Sequence, residues 1–391
     1  MEYLGESKAF LGLTLAAFST ATCIFAPLFG ILEVKSHDLK AIIVISASAK
    51  LFGNLLYSIP FNGYFPLFGR FISGIGESTI GVLYGAVIKC TTNKNRAKAF
   101  LYFEGLYTVG AMFGPSIGSV IVFNVNIFGW EINAGNSPGV LLVTVWVFLL
   151  MLAVFLPSDL AENSQAEEIQ QDPDSDKNSG DEIIEEESSI SCTPSTVGCL
   201  YYLAFLTVVC YSVISFYTPL LAVYHLGLKL IHVKLIYVNS SLAVFILYIA
   251  TYLILHKISE KKCFFVAFVS AIVPISITFY FALMWNNAIT ANAAYLLLIS
   301  MIIMSVKFMN FALACSLLSK ITPSNRAAFY QSLIFTSNNI GMIVARVIAG
   351  ATFDKIPMIC SCLGLVTVWV FGVIWMAFEY KNLPPKASID K

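Results

Sequence analysis

"NRAKAFLYFEGLYTVGAMFGPSIGSVI", residues 95–121, opens on Asn95 and Arg96 and then runs apolar for the length of a membrane span. Inside it Gly110, Gly114 and Gly118 recur every fourth residue, Pro115 follows Gly114, and Ser119 extends the stripe. Small residues at that spacing let helices approach closely in a bilayer, and a proline bend is tolerated where neighbours re-satisfy the freed carbonyl. The stretch reads as a close-packed, hinged transmembrane helix. A second stretch, "NRAAFYQSLIFTSNNIGMIVARVIAGATF" at 325–353, resembles it at an offset of 230 that widens to 231. Gly110 then faces Gly341, Gly114 faces Ala345 and Ser119 faces Gly350. The offset also pairs the preceding spans, so the chain reads as two related bundles.

Composition agrees. The 391 residues are 58% hydrophobic and 12% charged, with mean hydropathy +0.80, far from a soluble domain. Net charge is zero, which gives no case for nucleic acid as a partner. The nine cysteines sit in apolar runs or at loop edges and read as small hydrophobes. The opening "MEYLGES" lacks the basic start of a cleavable signal sequence. About 20 apolar residues cross a bilayer. Eleven such runs are expected, near 8–32, 40–59, 63–89, 98–123, 138–157, 197–222, 230–255, 263–284, 291–318, 327–353 and 357–379. The fold class is thus all-α and polytopic. An N-terminal bundle of five spans covers 1–157 and a C-terminal bundle of six covers 197–380. Between them, 158–196 is acidic, without aromatics, and reads as a disordered linker. Residues 381–391 form a tail.

Lysine and arginine concentrate in one set of short loops: Lys35 and Lys40; Lys89, Lys94, Arg96 and Lys98; Lys257, Lys261 and Lys262; Lys320 and Arg326; and the tail. The opposite set holds Lys8, Lys229, Lys234 and Lys355. The positive-inside rule makes the richer set, the linker and the C-terminus cytosolic. The acidic linker, as in "DEIIEEESSIS" at 181–191, is either a solvated spacer or a docking site for kinase or trafficking partners. By the same offset the span at 197–222 has no counterpart within the chain, so the first half is expected to lack its first helix.

These features resemble the major facilitator superfamily. "GPSIG" after Gly110 resembles its fifth-helix signature, and "GRFISGIGE" at 69–77 resembles the fourth-helix pattern, with Arg70, Gly74 and Gly76 in place. "GILEVKSHDLK" at 30–40 keeps Gly30, Glu33, Lys35 and Lys40 of the loop motif but lacks its second glycine and paired basic end. "AFLGLTLAAFSTATCIFAPLFG", "GNLLYS" and "GYFPLFGRFISGIGE" resemble a eukaryotic lysosomal branch of ceroid-lipofuscinosis type, typified by major facilitator superfamily domain-containing protein 8. The resemblance implies two helical bundles, alternating access and a lysosomal or endosomal membrane. It also implies that Arg70, Glu77, Glu104, Lys307 and Arg346 stand on cavity-lining helices.

Ionisable residues at bilayer depth are expensive and normally face a cavity or a partner. Glu77 and Lys307 are 230 apart, at equivalent depth in the two halves. The sharper expectation is that they pair or share the substrate, with Glu77 exchanging a proton; the plainer one is a static salt bridge. Burial favours the neutral carboxyl and a nearby base favours the carboxylate, the behaviour proton coupling requires. Arg70, two turns before Glu77, is expected to relay protons or attract an anion. Arg346 either lines the cavity or snorkels; Glu104 either binds substrate or neutralises the basic loop. Lys50, on an outer helix, is expected to pack or to reach lipid headgroups. His225 and His232 lie in a loop that could sense acidity or merely be solvated. No metal-ligand spacing, phosphate loop, cofactor motif or nucleophile with a supporting base is present, so an enzyme is not expected. The leading expectation is a secondary carrier of a small solute or anion, possible partners being that ion or solute and the bilayer. The alternatives are an anion-conducting channel, since cavity bases outnumber acids, and a non-transporting homologue.

Overall fold

A computed structural model describes residues 8–59, 61–93, 95–120, 125–127, 130–132, 136–157, 193–255, 257–285, 293–304 and 306–383. The linker 158–192, the tail from 384 and His256 lie outside the described residues. Helix α1 (Lys8–Ser36) meets α2 (Leu39–Tyr57) across a two-residue corner. His37 takes φ 54° there, and Asp38 caps α2 by accepting the Ala41 N–H at 2.9 Å. Helices α3 (Tyr64–Glu77) and α4 (Ile80–Lys89) form one span bent at Ser78–Thr79. Helix α5 (Arg96–Val120) is followed by a hairpin of β1 (Val125–Ile127) and β2 (Trp130–Ile132), paired antiparallel with Val125 opposite Ile132. Helix α6 (Ser137–Phe155) starts with proline in its first turn, where no backbone donor is lost.

Beyond the linker stand α7 (Pro194–Tyr224), α8 (Leu230–Ile254), α9 (Glu260–Val269), α10 (Ile272–Leu283), α11 (Ala293–Met304), α12 (Lys307–Ile321), a 3-10 turn (Ser324–Arg326), α13 (Ala327–Ala351) and α14 (Lys355–Glu379). Among the described residues ten helical runs are long and apolar enough to cross a membrane. Eleven were expected. The difference is α5, which is helical for 25 residues but dilutes its apolar content with Arg96, Lys98, Glu104 and its own glycines.

The described residues form two compact units. The first takes those within Met1–Thr92, Phe113–Cys192 and Thr322–Asn339, the second those within Asn93–Met112, Thr193–Ile321 and Ile340–Lys391. So the first half of α5 packs in unit 2 and the first part of α13 in unit 1.

Unit 1 is built on helices almost touching. A Cβ at Gly74 would collide with the Phe18 carbonyl on α1, and one at Gly76 would lie 2.6 Å from the Ser46 carbonyl on α2. At the end of the unit rich in lysine, the basic end, α13 lies against α1 and α4. A Cβ at Gly85 would stand 2.6 Å from Ala328 Cα, and one at Gly30 would stand 2.7 Å from Ser332 Oγ. Phe29, Leu39, Ile42 and Val82 form the apolar cluster beside them.

Unit 2 centres on α7, whose Leu203, Val213, Tyr217 and Ala222 are fully buried. The Tyr217 hydroxyl hydrogen-bonds Thr352. At the start of α7, Ser195 and Thr196 donate to the Glu379 carboxylate at 2.5 and 2.7 Å, fastening the helix to the end of α14.

Candidate functional site

Four helices of unit 1 converge on one ion pair. Lys50 stands in the second half of α2 and Glu77 ends α3, and the Lys50 ammonium donates to Glu77 Oε2. The two spans are antiparallel, and counting helix rise puts both residues roughly 17 Å from the basic end, near mid-membrane. Their side chains are 12% and 15% exposed. Aromatic faces complete the enclosure: Lys50 Nζ lies 5.2 Å from the Phe18 ring centroid on α1 and 5.6 Å from that of Trp146 on α6. A cation over a ring gains about 0.5–2 kcal/mol, more as water is excluded. Polar bonds hold the frame. Ser46 Oγ donates to the Gly76 carbonyl at 2.5 Å, and Asn54 Nδ2 donates to the Lys50 carbonyl at 2.7 Å.

The span breaks directly after Glu77. The Ser78 N–H reaches back to Ile75 rather than to the fourth residue before it, tightening the last turn. Ser78 Oγ donates to the Gly74 carbonyl at 3.1 Å, and Thr22 Oγ1 lies 3.1 Å from the same oxygen. The buried Thr79 Oγ1 has no hydrogen-bond partner among the described residues. In unit 2 the Val306 N–H, just before α12, bonds the Ile303 carbonyl at 3.2 Å.

Arg70, two turns before Glu77 on α3, lays its guanidinium over Tyr57, 4.8 Å from the ring centroid. Among the described residues it makes no ion pair or hydrogen bond.

Within unit 1 Glu77 pairs with Lys50, and Lys50 packs against Phe18 and Trp146. The signal was present: two opposite charges at the same depth of consecutive spans. The repeat offset points to the far half instead. Lys307 opens α12 in unit 2, and its side chain lies outside the described residues. Glu104 is 5% exposed in unit 2, where its neighbour Gly105 faces the Tyr248 ring. Arg346 is exposed on α13.

The supposed loop residues are mostly helical. Gly30 and Lys35 belong to α1, Lys40 to α2, and Arg96 begins α5. Arg96 is 8% exposed and donates to Asn93 Oδ1 at 2.6 Å. Arg326 closes the 3-10 turn, exposed. Glu33 pairs with Lys89 at 2.6 Å in unit 1, and Glu260 pairs with Lys320 at 2.5 Å in unit 2. Helix α5 runs through Gly110, Gly114, Pro115 and Gly118, but a Cβ at Gly110 would meet nothing within 4 Å. Among the described glycines close approaches fall at Gly74, Gly76, Gly81 and Gly85, and at Gly341, where a Cβ would lie 2.7 Å from the Phe205 carbonyl. The surroundings of 111–120 lie outside the described residues. In unit 2 the His225 ring packs on Trp285 at 4.2 Å, and burial pushes its imidazole below the usual value.

Comparison with known proteins follows the same outline. The human organic anion transporter MFSD10 (TETRAN) superposes with a TM-score of 0.65 at 12% identity, over 93% of this chain and 83% of that one. The proton:xylose symporter XylE, bound to 6-bromo-6-deoxy-D-glucose, superposes with a TM-score of 0.74 at 13% identity, over 98% of this chain and 88% of that one. Both likenesses concern the fold. The class H tetracycline resistance protein of Pasteurella multocida is 32% identical over 122 residues, which span 31% of this chain and 30% of that protein. The profile of the Major Facilitator Superfamily matches residues 1–346. With that match, and with membrane-length helices in the fold of two solved transporters, the chain belongs to the Major Facilitator Superfamily and is a multi-pass membrane protein of a family of secondary transporters.

Proposed function

We propose that this chain is a proton-coupled carrier of a small solute, in which the Lys50–Glu77 ion pair is the proton-exchanging element. The carrying observation is the pair itself: one acid and one base at mid-span, 12% and 15% exposed, enclosed by Phe18 and Trp146. Removing charge from water costs several kcal/mol per ion, a cost met only by a close counter-charge. Such a pair has two states. With Glu77 ionised, Lys50 is neutralised; with Glu77 protonated, Lys50 must find another anion. A cycle that visits both moves a proton each time access alternates. The interruption of the span directly after Glu77 supplies a bendable segment beside the pair.

An anion-conducting pore is the second reading, favoured by Arg70, a cation at span depth with no counter-charge among the described residues. Flux against current separates the two. Pure protein in sealed vesicles under a pH gradient should accumulate solute, and Glu77→Gln should remove the gradient's effect. Unchanged pH dependence in that variant sinks the proton role, and an ohmic anion current without proton exchange favours the pore.

The basic end is assigned to the cytosol, with the linker 158–196 and the C-terminus on the same side, where the acidic linker offers trafficking or kinase partners a docking strip. Resemblance of 9–30, 53–58 and 63–77 to the ceroid-lipofuscinosis branch supports a lysosomal or endosomal membrane.

A further inference from the structure

We propose that the basic end of unit 2, at the corner between α8 and α9, seats the phosphorylated headgroup of an anionic lipid; this stands apart from the carrier reading above and needs no transport to test. Lys257, Lys261 and Lys262 stand within the short run 257–262, and Lys381 follows the end of α14. Lys257, Lys262 and Lys381 are exposed. Two acids of the same end are engaged inward. Glu260 accepts from Lys320 at 2.5 Å and from Ser316 at 2.9 Å, both on α12. Glu379 accepts from Ser195, Thr196 and Asn382.

Lys261 is held by neutral groups. Its ammonium lies 4.9 Å from the Tyr380 ring centroid and donates to the Leu383 carbonyl at 3.2 Å. Tyr380 in turn packs edge-on against Phe265, with 6.1 Å between ring centroids. A ring and a carbonyl fix the ammonium in place without cancelling its charge. The same device recurs where α5 meets α8: Lys98 Nζ lies 5.4 Å from the Tyr252 ring centroid. A lysine laid on a tyrosine at the end of a span stands at headgroup level, its stem along apolar surface. The start of α9 adds the positive end of its dipole, and Ser259 makes no side-chain cap there. These features favour a phosphomonoester, whose near-double charge and three acceptor oxygens can be shared by neighbouring ammonium groups. A phosphatidylserine headgroup fits less well, because its own ammonium competes with the lysines. A free inositol phosphate shares the headgroup's chemistry. The lipid is favoured because the aromatic side chains beside the lysines close apolar spans, where acyl chains run.

The test reconstitutes the purified full chain in phosphatidylcholine vesicles carrying radiolabelled phosphatidylinositol bisphosphate or phosphatidylserine at equal total charge. The lipid retained after extraction and repurification is counted. The bisphosphate should be retained about tenfold or more above phosphatidylserine. Each lysine near the surface contributes about fivefold, so Lys261→Gln/Lys262→Gln should lower retention roughly twentyfold. Lys261→Arg/Lys262→Arg should keep it. Lys35→Gln/Lys40→Gln, at the basic end of unit 1, should leave it unchanged. Should the first variant not fold, Lys257→Gln/Lys381→Gln changes two exposed side chains and should lower retention alike. Equal retention of the two lipids, parent-like retention in the folded glutamine variant of unit 2, or an equal loss in that of unit 1 each overturns the inference. Soluble inositol trisphosphate held as tightly as the lipid overturns the lipid source. The acidic linker is the rival occupant: a tenfold gain in retention on Glu185→Gln/Glu186→Gln/Glu187→Gln would give the patch to it and overturn the inference. None of these outcomes touches the carrier reading, which fails on its own flux measurement.

Discussion

Lys50 and Glu77 are each other's counter-ion in a medium that supplies none, so single substitutions should hurt more than the pair. Lys50→Met leaves Glu77 buried opposite a thioether, and a broken buried pair costs about 3–5 kcal/mol. The expected outcome is a fall in melting temperature in detergent, largely recovered when Glu77→Gln is added. Equal destabilisation by the single and double variants would show that the pair carries no coupling energy. His225 makes a different prediction. Its imidazole is held below the usual value by burial against Trp285. The sign follows from linkage: the unfolded chain takes up the proton first as pH falls below about 6.5. The contact therefore contributes its full stability above that pH and loses it progressively below. His225→Phe should flatten the acid limb of a melting-temperature-against-pH curve, and an unaltered limb would remove His225 from the account.

At the scale of helices, contact distance decides which glycines matter. Gly85 and Gly81 seat the first turns of α13 against α4 with no room for a side chain, while Gly110 faces open space. Gly85→Leu should cost about 1–3 kcal/mol through overpacking and slow transport, whereas Gly110→Ala should be neutral or slightly stabilising, since alanine suits a helix better than glycine. Thermal melting of both variants checks the contrast; equal effects would contradict the packing. The fourth-helix motif that suggested a family resemblance thus has a plain physical content. Gly74 and Gly76 are small because Phe18 and Ser46 backbones lie against them. That content was not legible beforehand, because spacing shows that a helix has a narrow face and says nothing of which neighbour fills it.

For the molecule as a whole, the asymmetry of lysine and arginine predicts a cytosolic basic end. Cys90, exposed after the last turn of α4, gives a direct readout. In a variant keeping only this cysteine, a membrane-impermeant maleimide should label it from the cytosolic face and not from the other; the reverse pattern would invert the topology. The two units also exchange segments. The first half of α5 belongs with unit 2 and the first part of α13 with unit 1, although each is covalently continuous with the other unit's helices. Mean hydropathy and span length sufficed for an all-α membrane protein, because an apolar run of about 20 residues has no other soluble solution for its backbone. The residues 95–121 and 325–353 point to a twofold repeat, since register and basic ends recur together. Which charges meet was a different matter. Glu77 has a repeat-related candidate in Lys307 and a nearer one in Lys50, and the packing of α2 against α3 brings Lys50 onto it. Depth in a membrane can be counted along a chain, but the rotation of a helix about its axis is set by the neighbours it touches.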